Sequence, residues 1–155
     1  MIVRPSRKAW RLGMFSWQYR LISVYFSIQR RLARTKGPID LKKERADLEG
    51  LGKTFKPLVP ITCTKETANS VPVEWVVPSG STDSRTVFFL HGGSYISGSI
   101  DSHRAFAGNI ANAAGARALN VGYRLAPEHP FPAALEDAAA AYRWLLDRHA
   151  APDRV

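Results

Sequence analysis

The fold is decided by residues 86–95, which read TVFFLHGGSY. The first five contain four apolar residues and no charge, as expected of a strand buried in a sheet with helices on both faces. His91 follows this strand, and Gly92 and Gly93 let the chain turn sharply there. The stretch therefore predicts a buried strand that ends in a tight, glycine-containing loop.

Two helices and one more strand are predicted after this loop. Asp101 or Ser102 is suited to cap the first helix and Gly115 to end it. Its apolar face comprises Phe106, Ile110 and Ala113. Residues 118–123 form the next predicted strand, and Pro130 and Pro132 introduce the second helix. Its apolar face comprises Leu135, Ala138, Ala139, Tyr142, Leu145 and Leu146. The order strand, helix, strand, helix implies right-handed crossovers onto a parallel sheet, so the predicted fold class is α/β.

A hairpin and a short helix are predicted before the decisive strand. Residues 61–66 and 73–77 have the composition of strands, and the polar stretch 68–70 between them is typical of a turn. Residues 40–51 are charged and helical in pattern, and Gly50 and Gly52 are expected to break that helix. Pro78 then begins a polar loop that leads to the buried strand.

The positive charge of the chain is concentrated in its first third. Residues 1–57 hold 14 Lys and Arg against 4 Asp and Glu, whereas residues 58–155 hold 8 against 9. We therefore divide the chain into a basic, aromatic-rich helical arm or cap (1–57) and a nearly neutral body (58–155). Such an arm can contact a lipid surface, nucleic acid or water. No zinc-finger spacing or alternating basic and aromatic motif supports nucleic acid, so none is predicted as a partner.

The arm contains a candidate amphipathic helix. It presents one narrow polar stripe: Ser16, Arg20, Ser23, Ser27, Arg30 and Arg34. Gly37 and Pro38 are expected to end it. No uninterrupted apolar run reaches the 18 or so residues of a membrane span, and no small-residue cleavage site follows an apolar core. The helix either docks on its own domain or lies on a lipid surface, and the pattern leaves both open.

The single cysteine and the scattered histidines predict neither a disulfide nor a metal site. Cys63 has no partner in the sequence, which favours a reducing compartment and a cytoplasmic protein, with membrane association left open. His103, His129 and His149 lack the spacing of metal ligands and are interpreted as surface or helix-end residues. We expect no cofactor.

The loop after the strand has the composition of an oxyanion hole. Acyl transfer from an ester passes through a tetrahedral oxyanion, and fixed backbone N–H donors stabilise that charge by roughly 3 to 4 kcal/mol each. Two glycines bring unshielded N–H groups close to a substrate. The tripeptide alone is equally compatible with an ordinary glycine turn at a strand end.

A second motif decides between these readings. Residues 123–137 read YRLAPEHPFPAALED and begin 32 positions after His91. This pairing resembles the hormone-sensitive-lipase-like esterases, also called α/β-hydrolase fold-3, whose members place a His-Gly-Gly-Gly loop about 30 residues ahead of Tyr-Arg-Leu-Ala-Pro-Glu. Residues 98–104 also look like the family's loop into its first sheet-flanking helix. The resemblance covers roughly residues 60–155 and extends loosely to N-terminal cap helices.

The resemblance implies a partial α/β-hydrolase sheet and a set of site residues. Gly93 and Ser94 would donate N–H groups to the oxyanion, with Gly92 shaping the turn. The loop-supporting residues would be His91, Tyr123, Arg124 and Glu128. His91 would anchor the loop and would not be the general base; a solvent-facing histidine is the alternative. Arg124 and Glu128 would brace the segment after the strand; an exposed ion pair or no contact is the alternative.

Three departures from the family pattern affect the expected activity. Ser94 replaces a third glycine, and Gly122 replaces an Asp before the tyrosine. No Gly-x-Ser-x-Gly nucleophile elbow occurs in the sequence, and the family's Asp and His would come later still. We therefore predict the N-terminal half of a carboxylester hydrolase for a small ester or lactone substrate, with these 155 residues alone inactive. The alternative is a non-catalytic module that acts through a partner or a membrane surface.

Overall fold

The computed structural model describes residues 21, 23–25, 27, 28, 39–148 and 151–155, and the chain divides into two compact units, 1–39 and 40–155. In the first unit the described residues between 21 and 28 are helical, and the Ser27 hydroxyl donates to the Ser23 carbonyl at 2.7 Å. The rest of the predicted polar stripe and the expected helix end at Gly37 lie outside the described residues. No helix in the described ranges is long and apolar enough to span a membrane.

The second unit alternates strands and helices after an initial helix. In chain order its elements are α1 (Leu41–Thr54), β1 (Ile61–Ala68), β2 (Val71–Pro78), β3 (Thr86–Leu90), α2 (Ile100–Ala113), β4 (Arg117–Val121), α3 (Ala133–Arg148) and a single 3-10 turn (Pro152–Arg154). Each strand and helix predicted for the body is present. Helix α1, which the sequence analysis assigned to the arm, lies in the same compact unit as the sheet.

The four strands form one mixed sheet in the order β1-β2-β4-β3. Strands β1 and β2 form the predicted antiparallel hairpin, and Asn69 and Ser70 turn it with φ of 47° and 73°. Strand β4 is antiparallel to β2 and parallel to β3, so the last pair is connected by a crossover through α2. The fold class is α/β, as predicted, and β3 lies at one edge of the sheet among the described strands.

The core has two layers, one on each face of the sheet. The α3 layer comprises Val73, Trp75, Leu119, Val121, Trp144 and Leu145, with smaller neighbours. The α2 layer comprises Val76, Ala107, Ala111 and Ala118. Burial of apolar surface is the main favourable term in folding, so these two layers stabilise the sheet. The ends of β3 and β4, which carry the site described below, are thereby fixed in place.

The predicted inner faces of both helices are partly wrong. Phe106 is 58% exposed and Leu135 is 61% exposed, whereas Ala107, Ala111 and Trp144 are buried. Helix α2 lies so close to the sheet that a Cβ on Gly108 would be 3.3 Å from the Val76 side chain, and so only small residues fit on its inner face. Phe106 instead contacts Phe89 of the edge strand β3, and Leu135 lines the cavity at the end of that strand.

The predicted ends of two helices also need correction. Helix α1 does not break at Gly50 or Gly52 but continues to Thr54, after an N-cap in which Asp40 accepts the N–H of Lys43 at 3.0 Å. Helix α2 is capped neither by Asp101 nor by Ser102. Ser99 is its N-cap, and the Ser102 hydroxyl accepts the Ser99 N–H at 2.9 Å, which completes a capping box.

Candidate functional site

The loop after β3 adopts a backbone that most residues avoid. Gly93, Ser94 and Tyr95 have φ of 126°, 54° and 63°. A Cβ on Gly93 would lie 2.1 Å from the Ser97 carbonyl oxygen, so only glycine fits at this position. The Gly93 carbonyl accepts the N–H groups of Ile96 and Ser97 and the Ser97 hydroxyl, each at 3.0 Å. These bonds close the loop into one tight turn.

The turn leaves several backbone donors unused. Within the described residues, the N–H groups of Gly92, Gly93, Ser94 and Tyr95 have no acceptor. All four residues belong to the wall of a cavity of about 350 Å³ at the end of β3, and they include Gly93 and Ser94, the donors expected from the sequence. The complete lining is Leu90, His91, Gly92, Gly93, Ser94, Tyr95, Tyr123, Ala134, Leu135 and Ala138. Polar donors in a largely apolar wall are favourable for binding a developing negative charge, because little water competes for them.

His91 lies under the loop and does not face solvent. Its side chain is buried, with the residue 4% exposed, and Nδ1 donates to the Gly92 carbonyl at 2.9 Å. Its ring stacks on Tyr123 with 4.2 Å between centroids, and the Tyr123 hydroxyl donates to the His91 carbonyl at 2.5 Å. Burial lowers the pKa of His91, which favours the neutral ring. The alternative of a solvent-facing histidine is therefore wrong.

His103 belongs to the same group of rings, and the sequence analysis missed it. It lies in the first turn of α2, half-buried, with its ring centroid 5.5 Å from that of His91. Its Nδ1 is 2.9 Å from the Ser102 hydroxyl, and burial lowers its pKa. His129 is exposed, as expected, and His149 lies outside the described residues. The described residues contain no cluster of three potential metal ligands.

Arg124 and Glu128 have different partners. The Arg124 backbone N–H and guanidinium both bond to Asp137 in α3, at 2.8 to 3.0 Å, and its Nη2 is 3.3 Å from Glu136. Glu128 instead binds Arg45 of α1, which donates from Nη1 and Nη2 at 2.8 and 2.7 Å. This bond to Arg45 lowers the pKa of Glu128 to about 2. Nothing in the sequence pattern pointed to Arg45.

Neighbouring residues pack tightly around Gly122, which lies between the end of β4 and Tyr123. The N–H of Gly122 donates to the Pro72 carbonyl at 2.9 Å. A Cβ at position 122 would be 2.9 Å from the Ile100 side chain. The small residue at this position therefore allows Ile100, the first residue of α2, to pack over the end of β4.

Comparisons with known proteins found a family model and several relatives that match parts of this chain. The model of a family described as alpha/beta hydrolase fold matches residues 87–155. An acetyl-hydrolase of Streptomyces hygroscopicus is 51% identical over 89 residues, which are 57% of this chain and 29% of that protein. An ethyl acetate hydrolase of Pseudomonas putida is 48% identical over 62 residues, which are 40% of this chain and 20% of that protein.

Solved structures extend the similarity to most of the body. An esterase from the bacterial hormone-sensitive lipase family has a TM-score of 0.70 and 39% identity over 80% of this chain and 42% of its own. An esterase/lipase from an uncultured bacterium has a TM-score of 0.67 and 39% identity over 81% of this chain and 45% of its own. The chain spans less than half the length of these structures and less than a third of the curated relatives above.

Proposed function

We propose that this chain, whose residues 87–155 match the model of the alpha/beta hydrolase fold family, is a relative of the hormone-sensitive-lipase-like esterases and provides the oxyanion hole of a carboxylester hydrolase. The observation that supports this most directly is the pair of unused N–H groups on Gly93 and Ser94 beside the cavity at the end of β3. The turn requires glycine at position 93 and not at position 92, where φ is not positive and a Cβ would have room. His91, Tyr123, Arg124 and Glu128 are proposed to support it.

In the proposed reaction a nucleophile adds to the carbonyl carbon of an ester, and the carbonyl oxygen becomes an oxyanion. The two N–H groups stabilise that oxygen more strongly in the transition state than in the ground state, which is what lowers the barrier. His91 takes no part in proton transfer, because its Nδ1–H is bonded to the Gly92 carbonyl and its ring is stacked on Tyr123. No cofactor is needed for this chemistry.

We propose short-chain esters as the substrates. The two curated relatives described above are named acetyl-hydrolase and ethyl acetate hydrolase. Small acyl esters or lactones are consistent with a cavity of about 350 Å³ beside the loop. With its one free, exposed cysteine, Cys63, the protein is proposed to work in the cytoplasm.

The proposed hole can be tested by removing a single N–H from a longer protein that joins this chain to a nucleophile elbow. Proline at position 93 is unsuited to this, because it would force φ from +126° to about −65°. Replacing Ser94 by its α-hydroxy acid turns only that N–H into an ester oxygen. We expect kcat for p-nitrophenyl acetate to fall roughly 10²- to 10³-fold. The same replacement at Ser84, in an exposed loop, is the matched control. Equal kcat values for the two analogues would refute the assignment.

The 155-residue polypeptide itself is proposed to be inactive, because its sequence contains no Gly-x-Ser-x-Gly elbow to activate a serine. Incubated with p-nitrophenyl acetate, it should show neither a burst nor saturable turnover. A continuation through the elbow and the later Asp and His should restore turnover. A burst from the 155-residue polypeptide would show that a nucleophile outside that motif exists.

A second candidate function is contact of the basic arm with an anionic lipid surface. Four helical residues of the first unit lie at i, i+3, i+4 and i+7 and are exposed: Leu21, Val24, Tyr25 and Ile28. An apolar face next to an excess of Lys and Arg is typical of helices that lie in a membrane interface. Deleting residues 9–34 should abolish sedimentation with phosphatidylserine vesicles and leave a soluble body. Equal vesicle binding with and without these residues would remove the proposal, and loss of solubility would favour docking on the body.

A further inference from the structure

One arginine of α1 bonds to both loops that form the candidate site. The Nε of Arg45 donates to the Ile96 carbonyl at 2.8 Å, and its Nη2 donates to the Ala126 carbonyl at 3.0 Å. The remaining face of the guanidinium binds Glu128 in a bidentate pair. Ile96 follows the proposed oxyanion donors by two residues, and Ala126 and Glu128 belong to the segment after β4.

The two loops also meet through Tyr123, whose ring stacks on His91 and whose hydroxyl donates to the His91 carbonyl. The N–H of Ala126 donates to the Tyr95 carbonyl at 2.8 Å, directly beside the Arg45 contacts. Ser94 and Tyr95 both have positive φ, a conformation that costs a non-glycine residue free energy and persists only where surrounding contacts fix it. The bond from Arg45 to Ile96 lies directly after this unfavourable turn, and its bond to Ala126 lies on the residue whose N–H donates to Tyr95 of the turn.

The chemistry of the contact requires an arginine. A guanidinium has five N–H donors in a rigid plane, and here Nε, Nη1 and Nη2 serve two carbonyl oxygens and both oxygens of one carboxylate. A lysine ammonium is a point charge on a flexible stem, so it can keep the attraction to Glu128 but cannot fix both carbonyls at once.

We propose that Arg45 is a positioning residue of the oxyanion loop. By holding the Ile96 carbonyl against Ala126 and Glu128, it fixes the turn that aims the Gly93 and Ser94 N–H groups. The catalytic importance of this orientation rests on the proposed function. The claim that Arg45 fixes the loop does not depend on it. The competing explanation is an ordinary exposed ion pair, which adds little to any local geometry.

Amide hydrogen exchange on the full 155-residue chain separates the two explanations. The reporters are the N–H groups of Ile96, Ser97 and Ala126, whose acceptors lie within the turn. In Arg45→Gln we expect their exchange to accelerate at least about tenfold relative to amides of β2 and β4. Arg45→Lys, which keeps the charge, should accelerate them nearly as much, and Glu128→Gln, which leaves both carbonyl bonds, should do so less.

Lys43→Gln is the matched control, because Lys43 forms an exposed pair with Asp47 on the same helix. It should leave the reporters unchanged. The proposal is overturned if Arg45→Gln leaves the reporters at the wild-type rate, if it accelerates β2 and β4 by the same factor, or if Arg45→Lys restores wild-type exchange. If Arg45→Gln does not fold, Arg45→Lys and Glu128→Gln still show whether the loosening is confined to the loop or affects the whole protein.

A kinetic comparison distinguishes this proposal from the function on which it rests. In a longer protein with a nucleophile, Arg45→Gln should lower kcat about tenfold with KM unchanged, because the loop acts on the transition state. A loosened loop with unchanged kcat would support Arg45 as a positioning residue and would refute the oxyanion assignment. An unchanged loop would refute the role of Arg45 whatever the kinetics.

Discussion

Ser94 occupies a backbone conformation that favours glycine. A left-handed φ of 54° costs an L-residue roughly 1 to 2 kcal/mol, and glycine avoids this cost. The larger entropy of glycine in the unfolded chain offsets about 0.5 to 1 kcal/mol of that gain. We therefore predict that Ser94→Gly raises the free energy of unfolding by about 0.5 to 1 kcal/mol in urea titrations. Ser94→Ala keeps the Cβ and is the control. An equal gain from alanine would show that the hydroxyl, and not the backbone, is the cause.

The two histidines beside the loop make stability depend on pH. Burial lowers the pKa of His91 and of His103 below 6.5 in the folded state, and Glu49 opposes this with a smaller effect. As the pH falls, the unfolded chain therefore binds protons before the folded chain does. The free energy of unfolding should decrease below about pH 6.5. Each histidine contributes a slope of at most about 1.4 kcal/mol per pH unit.

Urea titrations between pH 7.5 and 5 measure this slope. His103→Gln should make it shallower, whereas the same change at the exposed His129 should leave it as it is. The carboxyls of Glu128 and Asp137, whose pKa values are lowered, contribute stability that is lost only at more acidic pH. If His103→Gln leaves the slope of the unfolding free energy against pH unchanged, other groups cause the pH dependence.

At the residue scale the sequence was informative wherever a motif was contiguous. His91, Gly93 and Tyr123 could be located because they stand in two short, recognisable stretches. Arg45 could not, because it is 51 positions from Ile96 and 83 from Glu128, and a single arginine in a charged helix has no distinguishing neighbours. His103 was missed because its burial depends on the packing of α2 against the loop.

Helix α1 contains two glycines whose surroundings differ completely. A Cβ on Gly50 would meet nothing within 4 Å, whereas a Cβ on Gly52 would lie 2.4 Å from the Ser102 Cα of α2. We predict that Gly50→Ala stabilises the protein by about 0.5 to 1 kcal/mol through helix propensity. Gly52→Ala should destabilise it by about 1 to 3 kcal/mol, because backbone atoms of α2 must move.

Thermal or urea unfolding of the two alanine variants gives the comparison directly, with each serving as the control for the other. Effects of the same sign would mean that α1 does not pack against α2 as described. The same pair explains why the predicted helix end was wrong. Sequence reasoning treats both glycines as breakers, but at Gly52 the missing side chain allows two helices to approach.

At the element scale the strands were easier to predict than the inner faces of the helices. Apolar runs and turn residues located β1 to β4 to within a few positions. The faces of α2 and α3 depend on how closely each helix approaches the sheet and on where the sheet ends. Glu74 shows the same dependence in a strand: it is buried in β2, where only the bidentate bonds from Arg104 of α2, at 2.7 and 2.9 Å, make its charge tolerable.

At the scale of the whole molecule the two edges of the sheet have opposite character. Strand β1 is exposed along most of its length and includes Lys65 and Glu66, charges that discourage pairing with other chains. Strand β3 has no charged residue, and exposed apolar side chains lie at its end and beside it. Leu90 ends the strand, Leu135 lines the same cavity as Leu90, and Phe106 and Tyr142 contact Phe89 and Phe88.

This edge leads to the prediction that the 155-residue chain self-associates. An apolar, uncharged edge strand is a ready template for pairing with another chain, and residues past it on α2 and α3 add apolar surface to the contact. Sedimentation at micromolar concentration should show dimers or larger species. Leu90→Lys places a charge at the end of β3 and should shift the chain toward monomer, whereas Leu58→Lys, at an even more exposed leucine before β1, should not. A monomeric, cooperatively unfolding wild-type chain would contradict the prediction, and equal effects of the two lysines would place the contact elsewhere.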